Sequence, residues 1–397
     1  MISKYRLSDL SESFSEPFDI LICSASFEDR SVAFSNHYPS GQILQSLIFY
    51  MKENQEFVES ALRHLEKLYS GKSKSFGLSR NNPLETADII ISALKEAVCQ
   101  KKATTVLVDI TSFTHEVVLM IYKILKEYYP ELKAKFVYVS AGSYNPSNPK
   151  YEISIDESNN TVITIHKNYL DSLKKGVHTF TVESEEADTT YTFNTDDTTA
   201  DIIMIIPSES GEFIDLYVDG SVINTCNKWL SHGVKEIRTV LGFSGEILPI
   251  LKTHLIIIVG YEYERAASII TNMEPFSLSL VFGESGSGTT PEKNWGAKDH
   301  FETLTKNMLP LFDPTKLFTL EIPCAEPIDA MMILKEHIEQ FKNENIVIVP
   351  LNNKITTLSA GMLATENERI QICYAPALLY NYSDYSTVGD SVYLIQL

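Results

Sequence analysis

The stretch VLVDITSFTHEVVLMIYKIL, residues 106–125, decides the fold class. It starts with an apolar run typical of a strand buried on both faces, and it ends with apolar residues at helical spacing. Between the two lie a carboxylate, three hydroxyl side chains and an imidazole, at Asp109, Thr111, Ser112, Thr114 and His115. A strand that passes directly into a helix predicts a parallel α/β sheet, and ligands on such sheets bind where the strands end.

This polar cluster has two interpretations. In the structural one, a Thr or Ser oxygen caps the following helix by accepting hydrogen bonds from its free N–H groups. One cap uses one such residue, whereas five polar residues occupy the seven positions from 109 to 115. A ligand-binding nest of hydroxyl and backbone N–H groups would use all of them. We therefore predict that a ligand binds at this strand end.

The sequence indicates an internal duplication. The stretch FDILICSASFEDRS, residues 18–31, matches THLIIIVGYEYERA, residues 253–266, as an apolar strand followed by an aromatic residue, an acid and an arginine. Further along each copy, a helix leads into another strand. The helix-to-strand spacing from position 88 to position 109 equals that from position 329 to position 350, at 21 residues in each copy. Ordered matches with an equal spacing favour two copies of one fold.

The copies are separated by a segment of different character. Residues 151–225 are rich in Thr and Val, with turn residues at short intervals, and this predicts a small antiparallel β unit. Residues 226–250 are interpreted as a connecting helix. The first copy then spans residues 1–150 and the second spans residues 251–397. The predicted fold is α/β, with two Rossmann-like, doubly wound parallel-sheet domains and the inserted antiparallel β unit between them.

Composition limits the functional classes. Five scattered cysteines without a CxxC pair argue against a metal site or a disulfide framework, and they favour a reducing, cytoplasmic location. No cofactor is predicted. No apolar run reaches the ~18 residues of a membrane span, so no membrane partner is expected. The net charge of −19 disfavours non-specific nucleic-acid binding but allows a small anionic ligand at a local site.

An arginine follows the first strand of each copy. Arg30 comes after Ser24 and Ser26, and Arg265 occupies the matching place in the second copy. In the structural interpretation, each arginine pairs with the acidic residue that precedes it at the start of a helix. In the functional interpretation, the planar guanidinium group binds a phosphate or a carboxylate of the ligand.

The second copy has its own polar residues at strand ends. The stretch PLNNK supplies Asn352, Asn353 and Lys354, and the stretch YNY supplies Tyr380 and Asn381. Amide and phenol groups beside aromatic faces suit a nucleobase or a sugar. The alternative is a satisfied polar network at a domain interface.

The segment DITSFTH, residues 109–115, resembles the Asp-x-Thr-Gly-Gly-Thr-Lys stretch of CARF domains. Those domains are Rossmann-like sensors of cyclic oligoadenylates and related nucleotides in prokaryotic antiviral systems. The resemblance implies that Thr111 and Thr114 contact the ligand and that Ser24 and Ser26 flank it. Ser112 and Phe113 replace the two glycines of the motif, and their side chains leave less room for a ligand to approach the backbone. His115 replaces the lysine of the motif.

The first hypothesis is therefore a binding protein. Its two copies would pack as an intramolecular pseudo-dimer, as two CARF protomers do, and would hold a nucleotide or a cyclic oligonucleotide near the cleft between them. No effector domain is evident in the sequence, so a separate effector protein is expected as a partner.

Two other hypotheses are open. A hydrolase or transferase acting on a nucleotide or N-glycoside would use Glu262 or Glu264 as its catalytic carboxylate. Two carboxylates within about 6 Å in the pocket would favour such an enzyme. A lining of hydroxyl, amide and arginine groups would favour the sensor. A scaffold without a ligand would show no thermal shift with any nucleotide.

Overall fold

The structure is a computed structural model of the chain. It describes residues 2–144, 151–155, 158, 160–183, 188–206, 215–223, 231–260, 263–284, 313–380, 382 and 385–397. The chain forms two compact units, one of residues 1–144 and 230–397 and one of residues 145–229. Within the described ranges, no helix combines the length and the apolar character that crossing a bilayer requires.

The first copy alternates strands with helices along the chain. Its elements are β1 (Ile2–Arg6), α1 (Leu10–Ser13), β2 (Phe18–Ser24), α2 (Arg30–His37), β3 (Ile43–Met51), α3 (Gln55–Leu68), β4 (Ser73–Leu78), α4 (Pro83–Lys101), β5 (Thr105–Asp109), α5 (His115–Tyr128) and β6 (Lys133–Tyr144). Five of its strands pair in parallel in the order β6-β5-β2-β3-β4. Neighbours such as Ile20 and Leu21 point to opposite faces, and both are fully buried, because the sheet is covered on both sides.

The unit of residues 145–229 contains only antiparallel strand pairs among its described residues. Its elements are β7 (Tyr151–Ile155), β8 (Thr161–Ile165), α6 (Lys167–Ser172), β9 (Val177–Glu183), β10 (Thr189–Asn194), β11 (Ile202–Ile206), β12 (Asp215–Val218) and β13 (Ser221–Ile223). They form one sheet in the order β10-β9-β12-β13 and another in the order β11-β8-β7. Ile163, Phe180 and Leu216 lie at the centre of its core. The predicted inserted β unit is confirmed.

The second copy repeats the architecture of the first. Its elements are β14 (Ser231–His232), β15 (Arg238–Thr239), β16 (Lys252–Ile258), α7 (Tyr263–Met273), β17 (Ser277–Gly283), β18 (Leu317–Ile322), α8 (Pro327–Ile338), β19 (Glu344–Pro350), α9 (Lys354–Glu366), β20 (Ile370–Tyr374), β21 (Leu379–Tyr380) and β22 (Ser386–Gln396). Its parallel strands run in the order β20-β19-β16-β17-β18, which is the order of the first copy. This identity of strand order confirms the duplicated, doubly wound α/β fold.

The last strand of the chain belongs to the sheet of the first copy. Each parallel sheet carries an antiparallel strand beside its fifth strand, β22 beside β6 and β15 beside β20. β22 also pairs with β1, so β1 is the edge strand of the first sheet and β22 lies between β1 and β6. The predicted second copy, residues 251–397, therefore extends beyond its own sheet. The repeat did not indicate this, because the sequence of a strand does not determine which of two similar sheets it joins.

The predicted connecting helix over residues 226–250 is wrong for residues 231–250, which the structure describes throughout. This segment contains β14, β15 and turns. Gly233, Gly242 and Gly245 have φ angles of 65°, 85° and 62°. These left-handed conformations are open to glycine and incompatible with a continuous right-handed helix.

The two copies share one hydrophobic core, in which the matching helices α5 and α9 pack against each other. Leu119 of α5 belongs to the same buried cluster as Leu358 and Leu363 of α9. Gly361 lies at the point of closest approach, where an added Cβ would be 2.8 Å from Leu119 Cδ2. Because α5 is covered by its own sheet on one side and by α9 on another, its sequence is apolar over most of its surface.

Candidate ligand-binding site

A cleft opens at the carboxyl ends of strands β2, β3, β4 and β5 of the first copy. It contains about 780 Å³ of space outside the atoms, part of which is open to solvent. The first copy supplies most of the lining, namely Ser24, Ala25, Ser26, Phe27, Glu28, Tyr50, Met51, Asn54, Val58, Leu78, Arg80, Ser112, Phe113, Thr114 and His115. The second half of the chain supplies Arg265, Lys354, Tyr374, Tyr380 and Tyr385.

This cleft brings together seven of the predicted site residues. They are Ser24, Ser26, Ser112, Thr114, Arg265, Lys354 and Tyr380. The cleft includes the ends of β2 and β5, the two strands between which the direction of chain winding reverses. That is the place where ligands bind on open α/β sheets.

The start of α5 has features of both interpretations, a helix cap and polar side chains that line the cleft. Thr114 caps the helix, because its Oγ1 accepts a hydrogen bond from Val117 N at 3.3 Å. Ser112 Oγ donates to Ser24 O at 3.2 Å and so joins the loop after β5 to the end of β2. The cap accounts for one hydroxyl of the cluster, while the side chains of both Ser112 and Thr114 line the cleft.

A chain of hydrogen bonds crosses from one copy to the other at the cleft wall. Lys354 Nζ lies 3.2 Å from His115 Nε2, and His115 Nδ1 lies 2.6 Å from Thr357 Oγ1. Thr357 Oγ1 in turn donates to Asn353 O at 3.1 Å. If the ammonium group donates to Nε2, the proton of the neutral imidazole is on Nδ1 and is donated to Thr357.

The charges of this pair are set by burial. Burial, followed by the positive charges of Lys354 and Arg265, holds the pKa of His115 well below its ordinary value, so the imidazole is neutral. Burial also lowers the pKa of Lys354 to about 8. The carboxylate of Glu28 opposes that effect, and the guanidinium groups of Arg30 and Arg265 add to it.

Arg80 lines the cleft and was not among the predicted residues. Its guanidinium carbon lies 4.6 Å from the centre of the Tyr380 ring, in a cation–π contact. Its carbonyl oxygen accepts a hydrogen bond from Arg238 Nη2 at 2.8 Å, and the same guanidinium group binds the buried carboxylate of Glu116 on α5. Arg80 follows the end of β4 by two residues, so the rule that selected the other strand ends also applies to it.

Arg30 forms the ion pair of the structural interpretation and lies outside the cleft lining. Its side chain is buried and ion-paired with Glu28. Its Nε also donates to Ser386 Oγ at 3.0 Å, and its Nη1 donates to Val139 O at 3.3 Å. Strand β22 covers this arginine, which explains why it does not reach the ligand site. The matching Arg265 lines the cleft.

Asp109 and Thr111 also point into the protein, and each is 2% exposed. Asp109 Oδ1 accepts hydrogen bonds from the amide and the hydroxyl of Thr111. Thr111 Oγ1 accepts from Val139 N at 3.0 Å, so this pair fixes the end of β5 against β6. Burial raises the pKa of Asp109 to about 6, although its bonds with Thr111 oppose the rise.

Asn352 and Asn353 organise the loop between β19 and α9 and do not line the cleft. Asn352 Nδ2 donates to Val259 O at 2.7 Å. Asn353 caps α9, because its Oδ1 accepts from Thr356 N at 2.9 Å, and its Nδ2 donates to Cys324 O at 2.9 Å. These contacts correspond to the satisfied polar network that was the alternative interpretation of these residues.

Three predicted residues are beyond structural description. Glu262 and Asn381 lie outside the described residues, and Glu264 lies in α7 with a side chain that is not described. Among the residues that are described, no group of three or more His, Cys, Asp or Glu side chains is placed to hold a metal ion.

No protein-family model matches the sequence, and no curated protein matches it. Among solved structures, the chain is similar to spermidine synthase in complex with the transition state analogue AdoDATO, with 10% identity and a TM-score of 0.20, over 34% of this chain and 41% of that one. It is also similar to UDP-GlcNAc 2-epimerase from Neisseria meningitidis bound to UDP-GlcNAc, with 11% identity and a TM-score of 0.20, over 84% of this chain and 77% of that one.

A third similar structure is the N-domain with NADP of a bacterial malonyl-CoA reductase, with 9% identity and a TM-score of 0.23, over 89% of this chain and 79% of that one. At such TM-scores these likenesses carry no argument about function. The assignment of the fold rests on the strand order of the two sheets.

Proposed function

We propose that this protein is a CARF-like sensor that binds an anionic nucleotide in the cleft of the first copy. The observation that carries the proposal is the pair of basic side chains Lys354 and Arg80. Both line the cleft, and within the described part of the chain neither forms an ion pair with a carboxylate. In a protein with a net charge of −19, cleft cations that pair with no described carboxylate favour an anionic ligand.

A phosphate group suits this environment. Lys354 is the first residue of α9 and lies beside the first residue of α5. The free N–H groups at the start of α5 add the positive end of a helix dipole. Arg80 provides a planar guanidinium group that can bind two phosphate oxygens at once. Partial burial strengthens each of these interactions, because less water screens the charges.

The aromatic residues of the cleft suit a nucleobase. The rings of Phe27 and Tyr385 lie in the lining, with their centroids 5.4 Å apart in an edge-to-face contact. Behind them, Tyr382 stacks on Phe57 at 4.3 Å, and its hydroxyl donates to Asn54 Oδ1 at 3.0 Å. Such bracing keeps an aromatic wall in place, and stacking of a base on an aromatic side chain contributes about 1–3 kcal/mol.

The resemblance of residues 109–115 to the CARF motif supports a sensor in particular, and with it a role in prokaryotic antiviral signalling through a separate effector protein. The position of Lys354 gives a physical account of one departure from the motif. His115 stands where the motif has lysine, and the second copy brings an ammonium group to 3.2 Å from that histidine. A cation is therefore present at the start of α5, although it comes from the other copy.

The enzyme hypothesis has less support. The described lining of the cleft contains one carboxylate, Glu28. Its Oε2 accepts hydrogen bonds from Arg30 and from Ser386 Oγ, which ties it to the protein interior. Catalysis by Glu262 or Glu264 stays a prediction.

Titration with nucleotides tests the proposal. The panel comprises AMP, ATP, and linear and cyclic oligoadenylates, with binding followed by thermal shift and calorimetry. A ligand at 100-fold excess over its Kd adds about 2.7 kcal/mol to the free energy of unfolding. We expect Lys354→Gln to weaken binding about tenfold or more, because a charge-assisted hydrogen bond contributes roughly 1.5–3 kcal/mol.

The control is Lys335→Gln, which removes the same charge from an exposed lysine on α8 that pairs with Glu366. This variant is expected to bind as the wild type does. The proposal is wrong if no nucleotide shifts the melting temperature, or if the two variants lose affinity equally.

A further inference from the structure

We infer that the ligand is a linear nucleotide with a terminal phosphate, bound once per chain, rather than a ring that the two copies share equally. This inference rests on the proposed function and specifies the shape of its ligand. It follows from the paths of two matching loops, the loop between β5 and α5 and the loop between β19 and α9.

In the first copy, the backbone at the start of the loop pairs with β6, and the loop contacts β2 through the Ser112 hydroxyl, which donates to Ser24 O at 3.2 Å. Ile110 N donates to Val137 O at 2.9 Å, and Thr111 Oγ1 accepts from Val139 N at 3.0 Å. Both partners lie on β6, the neighbour of β5 on the side opposite β2. Ser24 and Ser112, at the ends of β2 and β5, both line the cleft, so the crevice between these two strands forms part of it.

In the second copy, the backbone at the start of the matching loop pairs with β16, and the loop covers the matching crevice. Leu351 N donates to Ile258 O at 2.9 Å, and Asn352 Nδ2 donates to Val259 O at 2.7 Å. The loop packs so closely against Gly260 that an added Cβ there would lie 2.0 Å from Leu351 O. Glycine permits this close contact between two backbone segments, so the loop covers the crevice between the described ends of β16 and β19.

The second copy instead contributes basic side chains to the cleft of the first. Lys354 and Arg265 line that cleft, together with hydroxyl groups such as those of Ser26 and Ser112 from the first copy. The two sides of the site therefore offer different chemistry. A ring with two-fold symmetry presents the same groups to both sides, and one half of it would face a site that does not match.

The charge of the site also favours a linear ligand. A terminal phosphate carries about −1.5 to −2 charges at pH 7, because its second pKa is near 6. Each phosphodiester of a ring carries one negative charge. Lys354 and Arg80 supply two positive charges without carboxylate partners among the described residues. A linear 5′-phosphorylated nucleotide places two negative charges on one terminal group, whereas a cyclic dinucleotide spreads the same two charges over two separate phosphodiesters.

Calorimetric titration with matched ligands tests this inference. Linear 5′-phosphorylated diadenylate and cyclic diadenylate contain the same bases and the same number of phosphorus atoms, and the corresponding guanine pair is titrated in parallel. We expect one linear molecule per chain and a Kd at least tenfold lower than that of the ring. A ring that binds equally well or more tightly, or two molecules per chain, would overturn the inference while leaving the proposed function intact. If no ligand of the panel binds, both fail.

A variant separates the role of the terminal phosphate from general charge. Arg80→Gln is expected to reduce the preference for the linear over the cyclic dinucleotide to less than threefold. The control is Arg63→Gln, which removes an exposed arginine of α3 that pairs with Glu59, and it should keep the full preference. Retention of the full preference by Arg80→Gln would contradict the assignment of that phosphate to Lys354 and Arg80.

Discussion

Lys354 Nζ lies 3.2 Å from His115 Nε2, and these two residues begin the matching helices α9 and α5 of the duplicated fold. The duplication thus places the starts of two equivalent helices side by side. At such a junction two positive helix ends and a lysine repel one another. The structure tolerates this arrangement with a neutral imidazole, and no carboxylate of the described residues forms an ion pair with the lysine. The junction is therefore suited to an incoming anion.

Ligand binding should weaken at alkaline pH. Burial lowers the pKa of Lys354 to about 8, so the free protein loses this charge as pH rises through that value. The other charged groups that act on its pKa are Glu28, Arg30 and Arg265. We expect the Kd of a phosphorylated nucleotide to rise roughly tenfold from pH 7 to pH 9. Calorimetry on Lys354→Gln should give a flat profile, and an unchanged slope in this variant would contradict the assignment.

Lys354→Met should stabilise the protein without ligand while it weakens binding. A lysine whose pKa is lowered in the folded state reduces stability at neutral pH, because the folded protein disfavours its charged form. Removing it is expected to raise the free energy of unfolding by about 1–3 kcal/mol at pH 7. Urea denaturation at pH 7 measures this, with Lys335→Met as the exposed control. A destabilised Lys354→Met variant would show that the lysine has a structural role.

Acid should destabilise the second copy through a buried histidine. His254 Nδ1 lies 2.6 Å from Ser277 Oγ and its Nε2 lies 2.8 Å from Ser279 Oγ, inside the core. Burial, with a smaller contribution from His337, lowers the pKa of His254 to about 3. The unfolded chain binds this proton near pH 6.5, so stability is present above that value and is lost as pH falls toward 3.

The expected loss from His254 alone is about 2 kcal/mol between pH 7 and pH 5. Urea denaturation at the two pH values measures it. His254→Gln should lose less stability over this interval than the wild type does, whereas His64→Gln, at an exposed site on α3, should lose the same amount as the wild type. Identical losses in both variants and the wild type would refute the prediction.

Breaking the buried ion pair of the first copy should be costly. Arg30→Met leaves the Glu28 carboxylate beside the cleft without its main partner, and we expect a loss of about 3–5 kcal/mol in the free energy of unfolding. The double variant Glu28→Gln/Arg30→Met should recover part of it, since it leaves no unpaired charge. Arg63→Met, which breaks an exposed pair with Glu59, should change stability by less than about 1 kcal/mol. Equal effects of Arg30→Met and Arg63→Met would exclude a structural role for the buried pair.

The sequence predicted the fold better than the direction of the side chains. Continuous apolar strands and equal spacings follow from burial on both faces of a sheet, so the duplicated architecture was predictable. Asp109 is the last residue of its strand, and the pattern alone does not determine to which face it points. Arg30 and Arg265 occupy equivalent positions in the repeat, yet β22 covers Arg30 whereas Arg265 lines the cleft. Arg80 was missed although the loop after β4, residues 79–82, consists of polar residues, because the strand-end rule was not applied to that strand.

The pairing of β22 with β6 has a consequence for folding during translation. A Rossmann-like domain at the start of a chain ordinarily acquires its whole sheet while the ribosome is still translating the later domains. Here the sheet of the earlier copy is completed by residues 386–396, so its edge next to β6 stays uncovered until those residues have been synthesised. Nascent chains therefore pass through an interval in which a long strand edge is exposed, and chaperone capture during that interval would protect them from aggregation.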